Sequence, residues 1–241
     1  MKNLIFILIF LSFSFTALCQ GGVNFEQLTF DEALSKAKAE NKLVFMDCYT
    51  TWCAPCKYMA DNVFPREEAG EFFNPKFVSV KFDMENGEGK ELAQKFGVRA
   101  YPTFLIIRPD GSVQHRIVGG VNLDKFIEIA ERGLNVKTSF DYLDRLHEKG
   151  KMNKKQLISY QIALNDAYEE EKSNKVAQEL KSILKEKDKM QKEYWPILEK
   201  ESFGSDGFKL VLNNLSTFRK NVGKEKIDNY LFENYFSTIG E

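Results

Sequence analysis

The chain has only two histidines and four cysteines in 241 residues, and neither type clusters as a metal centre requires. His115 and His147 stand alone, so the C-x-x-C at 53 to 56, which would serve as half of a tetrahedral zinc site, lacks its second half. An excess of charge of one sign is also missing. Lys plus Arg number 34 against 35 Asp plus Glu, for a net charge of −1, which removes the global electrostatic reason to expect nucleic acid or an anionic membrane as partner. No apolar run reaches the ~20 residues that a membrane-crossing helix needs. No fixed period near that of the helical repeats is found. At 43% hydrophobic the chain can bury one sizeable core or two small ones.

What is present begins at the amino terminus. Met1-Lys2-Asn3, an apolar stretch from Leu4 to Phe15, and then Thr16-Ala17-Leu18-Cys19-Gln20 have the layout of a signal peptide over 1–19, cleaved before Gln20. The expected location is periplasmic or secreted, with no stable membrane insertion once the leader is removed. A lipid-modified Cys19 is the rival, disfavoured by the bulk of Leu18. The mature chain then keeps Cys48, Cys53 and Cys56 in an oxidising compartment. Three cysteines suit one working pair and one bystander better than a structural framework.

Thr29 with Glu32 forms a capping box ahead of a helix over 30–40. Leu43 to Tyr49 is short and mostly apolar, and reads as a buried central strand. A helix begins near Cys53, because Pro55 is tolerated in a first turn, and Pro65 interrupts it. Further helical turns at 67–73, a strand at 77–83 and a helix at 88–96 follow. A hairpin comes next, with strands 103–107 and 113–118 about Pro109-Asp110-Gly111, and then a helix from Asn122 to Gly133. The order predicts an α/β fold in which a layered sheet is covered on both faces. Residues 137–241 read as all-helical, with helices at 140–148, 154–169, 174–184, 192–200, 208–218 and 224–236. Their aromatic residues are expected mostly in a core.

Cys53 and Cys56 lie three apart at a helix start, on one face, where a disulfide closes across a single turn. Cys53 meets unpaired N–H groups and the positive end of the helix dipole, which favour its thiolate. Cys56, a turn further in, is the resolving thiol. As a purely structural link the pair would constrain the unfolded chain little.

The segment LVFMDCYTTWCAPCK, Leu43 to Lys57, resembles the active-site strand and helix of the thioredoxin superfamily, and Val98 to Phe104 resembles its cis-proline loop. The resemblance covers about 25 to 135 and implies a thioredoxin fold, a central mixed sheet flanked by helices, over 24–136, with 137–241 as an all-helical region of unstated role. It implies that Cys53 attacks and Cys56 resolves, that Asp47 is the buried carboxylate that takes the Cys56 proton, and that Trp52, Pro55, Tyr101 and Pro102 meet substrate. No cofactor and no metal is implied.

Two departures matter. Ala54 stands where glycine is more usual, and no histidine lies between the cysteines, which resembles reductases more than oxidases. Cys48 is expected to be a buried core residue. The expected activity is reduction of disulfides in exported proteins. The stretch from Pro65 to Pro75, with Phe64, Phe72 and Phe73, resembles periplasmic electron-relay modules and points to a membrane-bound thiol reductase as donor. The alternatives are a disulfide oxidase or isomerase, and a partner-binding protein that uses the fold as a scaffold.

Overall fold

The structure, a computed structural model, describes residues 21–239, so the expected leader over 1–19 and Cys19 lie outside the described residues. Helix α1 (Phe30–Glu40) begins at the expected box: the Glu32 N–H donates to Thr29 Oγ1 at 3.3 Å, and the Thr29 N–H donates to the Glu32 carboxylate at 2.8 Å. Such a cap contributes about 1 kcal/mol, so Thr29→Ala should lower stability to urea by about that amount.

Strand β1 (Leu43–Tyr49) lies between β2 (Phe77–Asp83), parallel to it, and β3 (Thr103–Ile107), antiparallel, with β4 (Val113–Val118) at the far edge. A parallel neighbour needs a long crossover. Here it is made by α2 (Ala54–Tyr58), a π-turn (Met59–Val63) and α3 (Glu67–Phe73). Helices α4 (Gly89–Phe96) and α5 (Leu123–Leu134) complete the cover. This is the mixed, flanked sheet of the thioredoxin fold, as expected.

Because β1 is covered on both faces, its apolar residues run almost without interruption. Phe45 points into one layer with Phe64, Phe73, Phe77, Phe104 and Phe126, whose rings interlock at centroid distances of 4.7–6.2 Å. Aromatic pairs of this kind add about 0.5–1.5 kcal/mol each beyond their buried area. Phe64 and Phe73, from the stretch singled out in the sequence, are therefore core residues. Val44, Met46 and Cys48 face the other layer, with Phe30, Leu92 and Phe96. On α5, a Cβ at Gly133 would stand 2.7 Å from Ile106 Cδ1 and 2.8 Å from the His115 ring. Gly133→Ala should cost about 1–3 kcal/mol in a denaturant titration, because the buried Ile106 and His115 side chains must shift to admit the methyl group.

The remaining elements are helical: α6 (Phe140–Glu148), α7 (Lys154–Asp166), α8 (Glu170–Ile183), α9 (Glu186–Lys189), α10 (Trp195–Leu198), α11 (Asp206–Asn213), α12 (Leu215–Asn221) and α13 (Lys224–Ile239). They dock on β4 and α5. The Phe140 N–H donates to His115 Nδ1 at 3.0 Å, Arg132 pairs with Asp166 at 2.6 Å, Arg108 pairs with Asp141 at 2.9 Å, and Lys125 meets Glu199.

Several expected boundaries change. The 154–169 helix stops at Asp166, where the chain turns left-handed at Tyr168. The 174–184 helix starts earlier, at Glu170. The 192–200 helix divides into a 3-10 turn (Lys192–Tyr194) and α10, since Pro196 has no N–H to donate and belongs in a first turn. The 208–218 helix breaks at Asn214 into α11 and α12. Tyr160, Trp195, Phe208 and Tyr230 are core, as expected, but Phe203, Phe232, Tyr235 and Phe236 are exposed. Among the described residues no helix is long and apolar enough to cross a membrane.

Candidate active site

β1 ends at Tyr49, and Thr50 to Trp52 lead into Cys53, which caps α2. The Cys56 N–H donates to Cys53 Sγ at 3.1 Å, so the sulfur does the work of a capping side chain. Pro55 sits in the first turn, where its missing N–H costs nothing, and lies exposed. Cys53 and Cys56 are joined as a disulfide with Cα atoms 5.3 Å apart, and both are buried.

Trp52 is 67% exposed, unusual for so large a ring. It is held in place by an indole N–H donated to Glu85 at 3.0 Å and by an edge contact with the Tyr101 ring at 5.9 Å. The Tyr101–Pro102 peptide is cis. Pro102 is tied to the loop after β4 by the Gly119 N–H, which donates to Pro102 O at 2.9 Å. That loop in turn lies close on α2: a Cβ at Gly120 would stand 3.2 Å from Pro55 O. The residues expected to meet substrate, Trp52, Pro55, Tyr101 and Pro102, are thus brought together around the disulfide.

Asp47 lines a cavity of about 220 Å³ together with Cys53, Cys56, Thr50, Lys57 and Lys81. It is buried, and its Oδ1 has no hydrogen-bond partner among the described residues. Burial pushes its pKa up to about 7, with Lys81 pulling the other way. A carboxyl poised near neutrality beside a dithiol can hold a proton or accept one. Lys81 was not legible as a site residue, because it reaches Asp47 only through the parallel register that pairs the two positions. Thr50, whose buried Oγ1 is also unpartnered, was missed as well. Cys48 is a free, fully buried thiol on the opposite face of β1, as expected, and burial holds its pKa well above the usual range. Among the described residues no group of three or more metal-ligating side chains is found.

The profile of the thioredoxin-like domain family matches residues 30–134. A rice (Oryza sativa subsp. indica) protein named thioredoxin H-type is 42% identical over 90 residues, which is 37% of this chain and 68% of that one. The thiol:disulfide interchange protein DsbD of Pseudomonas fluorescens is 32% identical over 99 residues, 40% of this chain but 17% of that one. A solved structure of a putative disulphide-isomerase from Bacteroides thetaiotaomicron is 44% identical, covers 48% of this chain and 95% of its own, and superposes with a TM-score of 0.45. Residues 135–239 fall outside the matched segment. With its matched segment folded around one vicinal cysteine pair, the chain belongs to the thioredoxin family and has the fold of a thiol-disulfide oxidoreductase.

Proposed function

We propose that the chain reduces disulfides in exported proteins, with 24–136 as the redox unit and 137–241 appended to it. The observation that carries this is the arrangement of Cys53 and Cys56 beside the buried Asp47, whose pKa burial raises. In the reduced protein the Cys53 thiolate attacks one sulfur of the substrate disulfide, forming a mixed disulfide and releasing one substrate thiolate, which takes a proton from solvent. Cys56 then loses its proton to Asp47 and attacks Cys53 Sγ. The Cys53–Cys56 bond closes, and the second substrate sulfur leaves as a thiolate, which takes a proton from solvent. The substrate gains two electrons and the pair loses two. A donor dithiol must reopen the pair, and a membrane-bound thiol reductase fills that role in this reading; the similarity to a thiol:disulfide interchange protein supports a thiol-redox partner.

Trp52, Tyr101 and Pro102 form the platform on which the substrate chain lies, with Pro55 at its edge. The Ala54-Pro55 dipeptide, which carries no histidine, supports the reducing direction. The signal-peptide layout of residues 1–19 supports a periplasmic or secreted location.

Equilibration of Cys53/Cys56 against a glutathione buffer tests the direction. A potential near about −270 mV is expected for a reductase, and one near about −120 mV would make the protein an oxidase instead.

A further inference from the structure

A second cavity, of about 300 Å³, lies against the loop that carries Tyr101 and Pro102. Ala100 and Thr103, which flank that pair, line it together with Arg99, and the turn after α7, Ala167 to Glu169, forms another wall. Arg116 lines it from β4 and donates to the Phe96 and Gly97 carbonyls. The helical half therefore contributes directly to the surroundings of the loop expected to hold substrate.

The turn itself is built at a cost. The Tyr168 N–H donates to Asn165 O at 3.3 Å, and the Glu169 N–H donates to Leu164 O at 2.9 Å, the two bonds of a Schellman helix end. Tyr168 occupies its left-handed position, at φ 56°, where glycine is the residue without penalty. No burial compensates, because the side chain is 65% exposed. Its hydroxyl meets Glu170 on the next helix. A large ring is thus kept at a position that disfavours any side chain, on the rim of a cavity that borders the Tyr101–Pro102 loop, where it is open to contact from outside the chain.

The charges specify what that contact carries. Arg116 is already engaged by two carbonyls, and Glu169 stands in the same cavity to offset it. Arg99 is exposed and makes no hydrogen bond or ion pair among the described residues. Arg99 and Arg116 together exceed Glu169 by one charge, which matches a single carboxylate better than a multiply charged anion such as phosphate. An extended chain advances about 3.3 Å per residue, so a polypeptide lying on the Pro102 loop brings a side chain a few positions from its cysteine past Ala100.

We propose that this cavity extends the substrate site and takes an acidic side chain flanking the disulfide of a polypeptide substrate, with Arg99 pairing its carboxylate and Tyr168 closing over it. This rests on the reading that Cys53 and Cys56 exchange disulfides with proteins. The test uses the reduced protein and a set of single-disulfide peptides in which Glu, or Gln as control, is placed two, three or four residues from the reactive cysteine.

At one position the Glu peptide should be preferred over Gln by about fivefold in kcat/KM at low salt, with the preference shrinking as salt is raised and disappearing in Arg99→Gln. Tyr168→Gly, which suits the left-handed turn and should melt no lower than the parent, should raise KM for the Glu peptide several-fold and leave kcat in place. No Glu preference at any position, or a preference that survives Arg99→Gln, overturns the inference. So does a Tyr168→Gly protein with parental KM. A parent that reduces bis(2-hydroxyethyl) disulfide yet shows no Glu preference overturns this inference alone. One that reduces neither peptides nor the small disulfide overturns the exchange reading beneath it.

Discussion

Cys53→Ser should abolish disulfide exchange, with a loss of at least about a thousandfold, because the thiolate is the nucleophile and a serine hydroxyl cannot take its place. The fold should survive the change. Serine is among the best capping residues, and its oxygen can accept the Cys56 N–H that Cys53 Sγ accepts now. Urea titration of the variant and of the reduced parent should agree within about 1 kcal/mol, the scale of a single cap. No rescue is expected from Cys48, which is fully buried on the other face of β1 with its thiol held neutral. Retained exchange in the variant would remove Cys53 from the mechanism.

The second large effect is on stability as a function of pH. Asp47 has its pKa raised from 3.8 to about 7, so across that window the folded chain keeps a proton that the unfolded chain has released. Stability therefore falls as pH rises from 3.8 to 7, by about 4 kcal/mol in all. His115 acts in the opposite sense. Fully buried, with Phe140 N–H on its Nδ1 and no partner on its Nε2 among the described residues, it has its pKa lowered to about 4 by burial. Asp166 raises that value in part and Arg132 opposes the rise. Between pH 4 and 6.5 the unfolded chain binds the histidine proton and the folded chain does not, so stability rises with pH by about 3 kcal/mol.

The two contributions nearly cancel over their common window. Asp47→Asn removes one of them. The oxidised variant should be about 4 kcal/mol more stable than the parent at pH 8, and the gap should close toward pH 4. Its own profile should show the His115 slope that the parent conceals. Denaturant midpoints at pH 4.5, 6.5 and 8 measure this, and equal stability of the two proteins at pH 8 would contradict it.

The features legible in the sequence are those written in neighbouring residues. The Thr29 and Glu32 box, the strand from Leu43 to Tyr49, and the pairing of Cys53 with Cys56 across Pro55 each depend on contacts a few positions apart. What was missed depends on long-range register or on a local rule being broken. Lys81 comes beside Asp47 only when β2 aligns with β1. Tyr168 occupies a left-handed position that glycine ordinarily marks, so α7 ends three residues before the expected boundary at 169. Phe232, Tyr235 and Phe236 carry the apolar spacing of a packed face, but spacing does not say whether anything covers that face, and on α13 they are exposed. Asp47 is legible through the resemblance, and its burial on an apolar strand fits that role, since a carboxylate there is costly without one.

The most direct test of the account is the Cys56→Ser protein, reduced and then mixed with a disulfide-bearing polypeptide. With the resolving thiol gone, the mixed disulfide on Cys53 should persist, visible by intact mass as one added chain, mapped to Cys53 by peptide digestion and released by dithiothreitol. If the mass instead stays that of the free protein while Cys53 still reacts with a small alkylating reagent, exchange with protein disulfides through Cys53 is contradicted.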